Sequence, residues 1–345
     1  MKRPPSLRIL AVLAVLLAGI AACGGSPDEK EAAASGGSSA FPMTIKHALG
    51  TTTIEAKPKR VATVNWANHE VPLALGVVPV GMAAANFGDD DGDGVLPWVD
   101  ERLKQLGAKT PVLFDENDGI DFEAVADTRP DVILAAYSGL TKQDYETLSE
   151  IAPVVAYPDA AWATPWREII RMNGKALGLA AEGEKLIGRI EGDIKRVVAK
   201  YPQLKGKSAM FMTHVDPGDV SQIGFYTTHD TRTLFFQDLG LTIPNSIAGL
   251  SRGTDKFALT RSAEQIDVFD DVDIITGYGD EKGHLLDKVR KDKLLSKIPA
   301  VERGSVYLLP DSKPLGTAAN PTPLSISWVL EDYVKALAAA ADKVT

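Results

Sequence analysis

The chain has 345 residues, 45% hydrophobic and 24% charged, with a formal net charge of -9 and a single cysteine, Cys23. That length and apolar content suffice for a sizeable core, the acidic balance excludes nucleic acid as a natural partner, and one cysteine excludes a disulfide within the chain. A domain of this composition has to be held by its core alone.

Lys2, Arg3 and Arg8 precede an uninterrupted apolar run over 9–22. This is the layout of a secretory signal, and it is shorter than the about 20 apolar residues a bilayer-spanning helix takes. Ile20-Ala21-Ala22-Cys23 resembles the lipobox of bacterial lipoproteins. That resemblance implies cleavage before Cys23, a lipid on its thiol and a mature protein anchored outside the cytoplasm at the cell membrane. Loss of 1–22 removes three positive charges and takes the net charge from -9 to -12. Residues 24–40 are Gly, Ser, Ala and charge without an apolar period, a tether that spans on the order of 22 Å as a random coil. A folded body is expected from Phe41 onward.

Met43 to Ile45 and Thr52 to Ile54 flank Gly50 and predict a small hairpin. Over 61–157, β-rich runs at 61–64, 78–80, 131–134 and 154–156 alternate with amphipathic stretches at 70–75, 96–106 and 145–151, the pattern of a parallel sheet with crossover helices. Apolar residues from Trp166 to Tyr201 then follow a helical face that Pro202 stops. Unbroken, a helix over 165–200 would be about 54 Å long. Gly174, Gly178, Gly183, Gly188 and Gly192 offer points for a break into two consecutive helices. After Lys207 the alternation restarts, with runs at 208–212, 233–239, 264–269, 272–276, 285–291 and 306–309 and a terminal helix over about 323–343. The expectation is an α/β fold of two Rossmann-like lobes with mainly parallel sheets, 41–164 and 203–345. A single long rigid helix over 165–202 joins them, and a ligand cleft lies between.

Several segments carry a family likeness over nearly the whole body. They are Pro58 to Val64 followed by Glu70 and Leu73 to Val77; Phe122-Glu123-Ala124-Val125 leading to Pro130-Asp131 and an apolar strand; Arg232 with Gln237 to Leu241; and Ser262-Ala263-Glu264-Gln265-Ile266 ahead of Asp273-Ile274-Ile275. In order and spacing they resemble the substrate-binding proteins of ABC importers for ferric siderophores, haem and cobalamin. The resemblance implies a monomeric carrier, not an enzyme, that needs no cofactor. Its ligand would be a ferric siderophore, its partner a membrane permease with an ATPase. It further implies that Glu123 and Glu264, one on each lobe, dock with permease arginines, and that Arg232 faces the cleft. Positions at which some relatives supply a protein His and Tyr to iron correspond to Phe257 and Lys313, so a fully coordinated chelate of hydroxamate type is favoured. A haem or cobalamin carrier of the same fold is the alternative.

Ligands of open α/β sheets sit beyond the carboxyl ends of the strands. The loops there carry Trp66, Tyr137, Trp162, Trp166, Phe225, Tyr226 and Tyr278, broad rigid surfaces for a bulky ligand. Three of the five tryptophans fall in these loops. Arg232 would meet hydroxamate, catecholate or carboxylate oxygens. His69-Glu70 begins like a zinc-protease helix, but the second histidine is missing and Pro72 disturbs the helix. With the acidic loop it forms the competing reading, an extracytoplasmic metal-dependent hydrolase. Asp89, Asp91 and Asp93 before Gly94, with Asp100 at the twelfth position, fit a calcium-loop template in which Pro97 stands at the ninth position. The five histidines show no ligand spacing.

Overall fold

The computed structural model describes residues 41–215 and 218–344. The signal segment, Cys23 and the tether lie outside the described residues. The body opens with the expected hairpin, β1 (Met43–His47) paired antiparallel to β2 (Gly50–Ile54). The first lobe follows as β3 (Val61–Thr63), α1 (Glu70–Ala74), β4 (Gly81–Ala83), α2 (Pro97–Gln105), β5 (Val112–Phe114), α3 (Phe122–Asp127), β6 (Val132–Leu134), α4 (Lys142–Ile151) and β7 (Val154–Val155). Its sheet has the order β5-β4-β3-β6-β7, with every pair parallel. From β3 the chain winds first toward β5 and then returns to β6 on the other side. The strand order therefore reverses between β3 and β6, the crevice where such sheets bind ligands.

Next come α5 (Trp166–Ala176) and α6 (Ala180–Val198), which correct the expectation of one unbroken helix over 165–202. Gly178 adopts φ +67°, and the N–H groups of Gly178 and Leu179 return to the carbonyls of Lys175 and Gly174. This is a glycine helix stop, the residue type that takes a left-handed backbone without penalty. A Cβ at Gly178 would come within 2.6 Å of the Phe41 ring. Met172, Ala176 and Leu177 of the α5 segment bury against Val61, Val132 and Leu134 of the first sheet, so α5 belongs to that lobe. The connection is α6 alone, 19 residues or about 28 Å.

The second lobe comprises β8 (Ala209–Met212), β9 (Gln222–Tyr226), α7 (Thr231–Asp238), α8 (Asn245–Ser251), β10 (Ala258–Ser262), β11 (Ile274–Gly279), α9 (His284–Lys291), α10 (Pro299–Arg303), β12 (Val306–Pro310), α11 (Pro314–Ala318) and α12 (Ser325–Ala341). Its sheet order is β10-β9-β8-β11-β12. β8, β11 and β12 are parallel, whereas β9 runs antiparallel to both of its neighbours. Mainly parallel sheets were expected, and the β9–β10 pair is the departure.

Among the described residues, several contacts tie the lobes together. Glu70, 1% exposed, accepts from Trp98 Nε1 at 2.7 Å and from the Leu324 and Ser325 N–H groups at the start of α12. Arg167 makes two 2.9 Å bonds to Asp238 on α7, which also accepts from Trp166 Nε1. Asn320 Nδ2 reaches the Tyr137 hydroxyl at 3.4 Å. Phe87 packs edge-on against His214 and Tyr278, and Gly88 lies so close to Thr317 that any side chain there would collide. Desolvation makes each buried polar contact expensive to break, so the gap between the lobes is largely preformed.

Candidate functional site

The loop Asn65-Trp66-Ala67-Asn68 leaves the carboxyl end of β3. Asn65 and Ala67 both take left-handed backbones, φ 58° and 63°. Asparagine tolerates this, while alanine costs about 1–2 kcal/mol, so the turn has to be held from outside. Asn68, fully buried, holds it: its Nδ2 donates to the Val64 and Tyr137 carbonyls at 2.8 Å, and its Oδ1 accepts from the Tyr137 N–H at 3.0 Å. Asn65 reaches to both sides, accepting from the Gly139 N–H and donating from its N–H and Nδ2 to Glu116. The side chains of two asparagines thereby fix Trp66 and Tyr137 across the β3/β6 crevice.

Trp162 completes this wall with φ 59°, its N–H bonded to the Ser138 carbonyl. Its ring meets Tyr137 edge-on at 5.5 Å and lies over Gly139, where a Cβ would stand 2.3 Å from Trp162 Nε1. Opposite stands Arg232. Asp230, wholly buried, caps α7 and accepts from the Arg232 Nε at 2.9 Å and Nη2 at 2.7 Å. The guanidinium lies 3.9 Å over the Tyr226 ring, and Nη1 faces the Tyr278 hydroxyl at 3.3 Å. Phe257 stacks on the far part of Tyr226. Burial pushes the phenols of Tyr137, Tyr226 and Tyr278 up against the pull of Arg232, so all three are neutral hydroxyls.

Trp66, Tyr137, Trp162, Arg232, Phe257 and Asn320 line one open cleft of about 230 Å³. Four of the residues expected to contact ligand from their sequence positions thus meet in one place. Tyr226 and Tyr278 lie behind them, supporting Arg232. Two expectations fail. Trp166 is 2% exposed in the core, its Nε1 spent on Asp238. Phe225 is fully buried against Phe269, because β9 is a strand and its alternation turns Phe225 inward.

Phe257 and Asn320 were not foreseen as ligand contacts. Phe257 is 41% exposed; its position corresponds to one where some relatives supply a ligand to iron, but a phenylalanine there gives iron no donor and was not itself expected to touch the ligand. Asn320 had none. The Asn65–Asn68 pair around Trp66 was legible as a turn, though not as its fastening.

His69 and Glu70 do not form a catalytic pair. Glu70 is occupied by Trp98 and α12, as described, while burial holds the His69 imidazole down to about 4, so it is neutral. Asp89, Asp91 and Asp93 bring carboxylate oxygens within 4.8 Å of one another. Asp89 accepts from the N–H groups of Asp91, Gly92 and Gly94. Asp100 sits apart in α2 and pairs with Lys104, so the twelfth position of the calcium template is not in the cluster. Glu123 and Glu264 are exposed near the first turns of α3 and of the short helix after β10. Neither carboxylate has a partner among the described residues.

The chain is similar to the iron-uptake ABC transporter substrate-binding protein PiaA of Streptococcus pneumoniae, solved in complex with ferrichrome. The two are 44% identical, with a TM-score of 0.83 over 88% of this chain and 99% of that one. The probable siderophore-binding lipoprotein YfiY of Bacillus subtilis is 28% identical over 65% of this chain and 68% of its own length. The iron(3+)-hydroxamate-binding protein YxeB of the same organism is 22% identical over 88% of each. Residues 61–313 match the family model described as periplasmic binding protein, and the chain belongs to that family.

Proposed function

We propose that this protein is an extracytoplasmic lipoprotein, anchored through Cys23, that captures a ferric siderophore of hydroxamate type and hands it to the permease of an ABC importer. The charge state of the cleft carries this reading. One guanidinium faces an aromatic wall, and Asp230 already cancels its charge. Three hydroxamates cancel the charge of a ferric ion, so the complex is neutral and bulky, with partly negative oxygens that accept from the Arg232 N–H groups still free. Three catecholates leave a negative complex that such a site does not compensate. The likeness to the ferrichrome-bound PiaA and to YxeB supports the same choice. Haem would take an axial His or Tyr; among the described residues lining the cleft there is no histidine, and Tyr137 is a neutral phenol already bonded by Asn320.

Glu123 and Glu264 are suited to docking. Each is solvated and unpaired, and a charge match with permease arginines would set register and encounter more than affinity. No bond is made or broken in this scheme, and the ordered, stapled walls suit recognition by a preformed surface. Titration of tryptophan fluorescence with ferric hydroxamates, their iron-free forms, ferric citrate, haem and cobalamin tests it. The ferric hydroxamates should quench at the lowest concentrations. Quenching by haem with none by any ferric siderophore overturns the reading.

A further inference from the structure

The loops after β3, β4 and β5 enclose a second cavity, of about 220 Å³, that shares Trp66 and Trp162 with the cleft. It exists because Ala83, the last residue of β4, and Ala84-Ala85 after it put only methyl groups on one wall. Neither it nor the cleft of about 230 Å³ alone reaches the roughly 300 Å³ at which sites for whole small molecules begin, so a ligand whose body lies in the cleft can fill this space as well. The space therefore takes an arm of a ligand whose body lies elsewhere.

The polar lining is unusual in what it lacks. Glu116, largely withdrawn from solvent, accepts only from Asn65: its N–H bonds to both carboxylate oxygens and its Nδ2 to Oε2. No cation pairs with it among the described residues, and burial pushes its carboxyl up rather than a neighbour pulling it down. A carboxylate has about four lone-pair sites, so Oε1 keeps one free. His69, 7% exposed, forms another part of the wall, and neither of its ring nitrogens has a hydrogen-bond partner among the described residues.

Two indoles, a neutral imidazole and a carboxylate without a counter-ion make a lining that favours a small cation. Aromatic faces attract cations, and a withdrawn carboxylate gains from a partner. The loop joining two of its lining residues has the same sign. Asn86 and Gly94 line the cavity, and between them run Asp89, Asp90, Asp91 and Asp93, whose field concentrates cations near that part of the wall. A cationic arm also escapes repulsion from Arg232, because Asp230 cancels that charge.

We infer that this cavity is a second subsite of the cleft, which holds a primary ammonium arm at the periphery of the chelate against Glu116 while the iron centre faces Arg232. The inference rests on the proposed function for the identity of the chelate. It separates ligands with the same iron centre by a group remote from the metal, which the cleft alone does not do.

The test uses a linear ferric trihydroxamate with a free terminal amine and its N-acetylated derivative, titrated against wild type and Glu116→Gln by tryptophan quenching. Wild type should bind the free amine more tightly by about tenfold or more, and in Glu116→Gln the ratio should fall to near unity. Equal affinities in wild type, or the same preference retained by Glu116→Gln, overturn the subsite. Propylammonium titrated alone, followed by the indole N–H resonances of Trp66 and Trp162, isolates the pocket from the chelate. Shifts that disappear in Glu116→Gln support it, and absence of shifts in wild type overturns it. Failure of wild type to bind either chelate while propylammonium still shifts those resonances breaks the functional reading and leaves the cation pocket standing.

Discussion

The two walls of the cleft are built by different physics. On the first lobe, Trp66, Tyr137 and Trp162 are aimed by neutral hydrogen bonds from Asn65 and Asn68 and by left-handed backbone at Asn65, Ala67 and Trp162. On the second, Arg232 is aimed by an ion pair with Asp230 and by the aromatic faces around it. Hydrogen-bonded loops fix shape, whereas a buried ion pair fixes charge and leaves shape to its neighbours. The first wall should therefore discriminate by fit and the second by net charge.

The largest effect is expected where charge is removed. Arg232→Ala leaves Asp230 buried without its partner, and affinity for a ferric hydroxamate should fall by about 100-fold or more, as at interface hot spots, measured by tryptophan quenching. Asp230→Asn turns the same wall cationic and should shift preference toward negative chelates such as ferric citrate. If Asp230→Asn weakens all chelates equally, charge is not what that wall reads.

A shape change comes next. Gly139→Ala pushes Trp162 off the Tyr137 edge and should cost about tenfold in affinity, with little loss of melting temperature because Trp162 is part-exposed. An unchanged affinity would mean that Trp162 is not a fixed element of the wall.

The third effect concerns stability. The His69 imidazole is held down to about 4 in the fold, against about 6.5 in the unfolded chain. Between those values the unfolded state binds more protons, so this contribution is fully present above pH 6.5 and is lost as pH falls toward 4, by up to about 3 kcal/mol. Glu70 and Glu116, whose carboxyls burial raises, act in the opposite direction. Urea unfolding of His69→Gln beside wild type isolates the histidine: wild type should lose more stability over that window. Parallel pH curves would refute it.

The smallest effect on binding is expected from Glu123→Lys and Glu264→Lys. Both should keep wild-type affinity within about twofold, since the side chains are solvated and make no ion pair among the described residues, and both should reduce uptake in cells. Loss of binding in either would remove the division between cleft and docking surface.

Much of this was legible in the sequence where a single period dominates. The parallel strands β3, β6 and β7 read as short apolar runs, and helices α2, α4 and α9 as amphipathic stretches. The break at Gly178 was not resolved from Gly174 or Gly183, because only tertiary packing against Phe41 distinguishes them. Strands β9 and β10 went unseen: Gln222 to Tyr226 and Ala258 to Ser262 pair with each other, and such non-local pairing leaves little mark on either segment. Phe225 consequently reads as a loop residue, and Trp166 reads as a cleft residue although its helical register turns it toward Asp238. Arg232 is marked by family likeness, while Asp230, two residues away, determines what Arg232 means and carries no mark in the sequence.

Glu70 links events that are distant in time as well as in sequence. It waits for the N–H of Leu324, 254 residues later. A chain that emerges amino-terminus first completes its first lobe before α12 exists, and during that interval the carboxylate has only Trp98 as a hydrogen-bond donor. A charge awaiting burial keeps the interlobe surface wet and resists premature collapse around it. The arrival of α12 then closes that surface and completes the receptor, so a chain interrupted before Leu324 retains an unmet acid between its lobes and should be the form that a protease removes first.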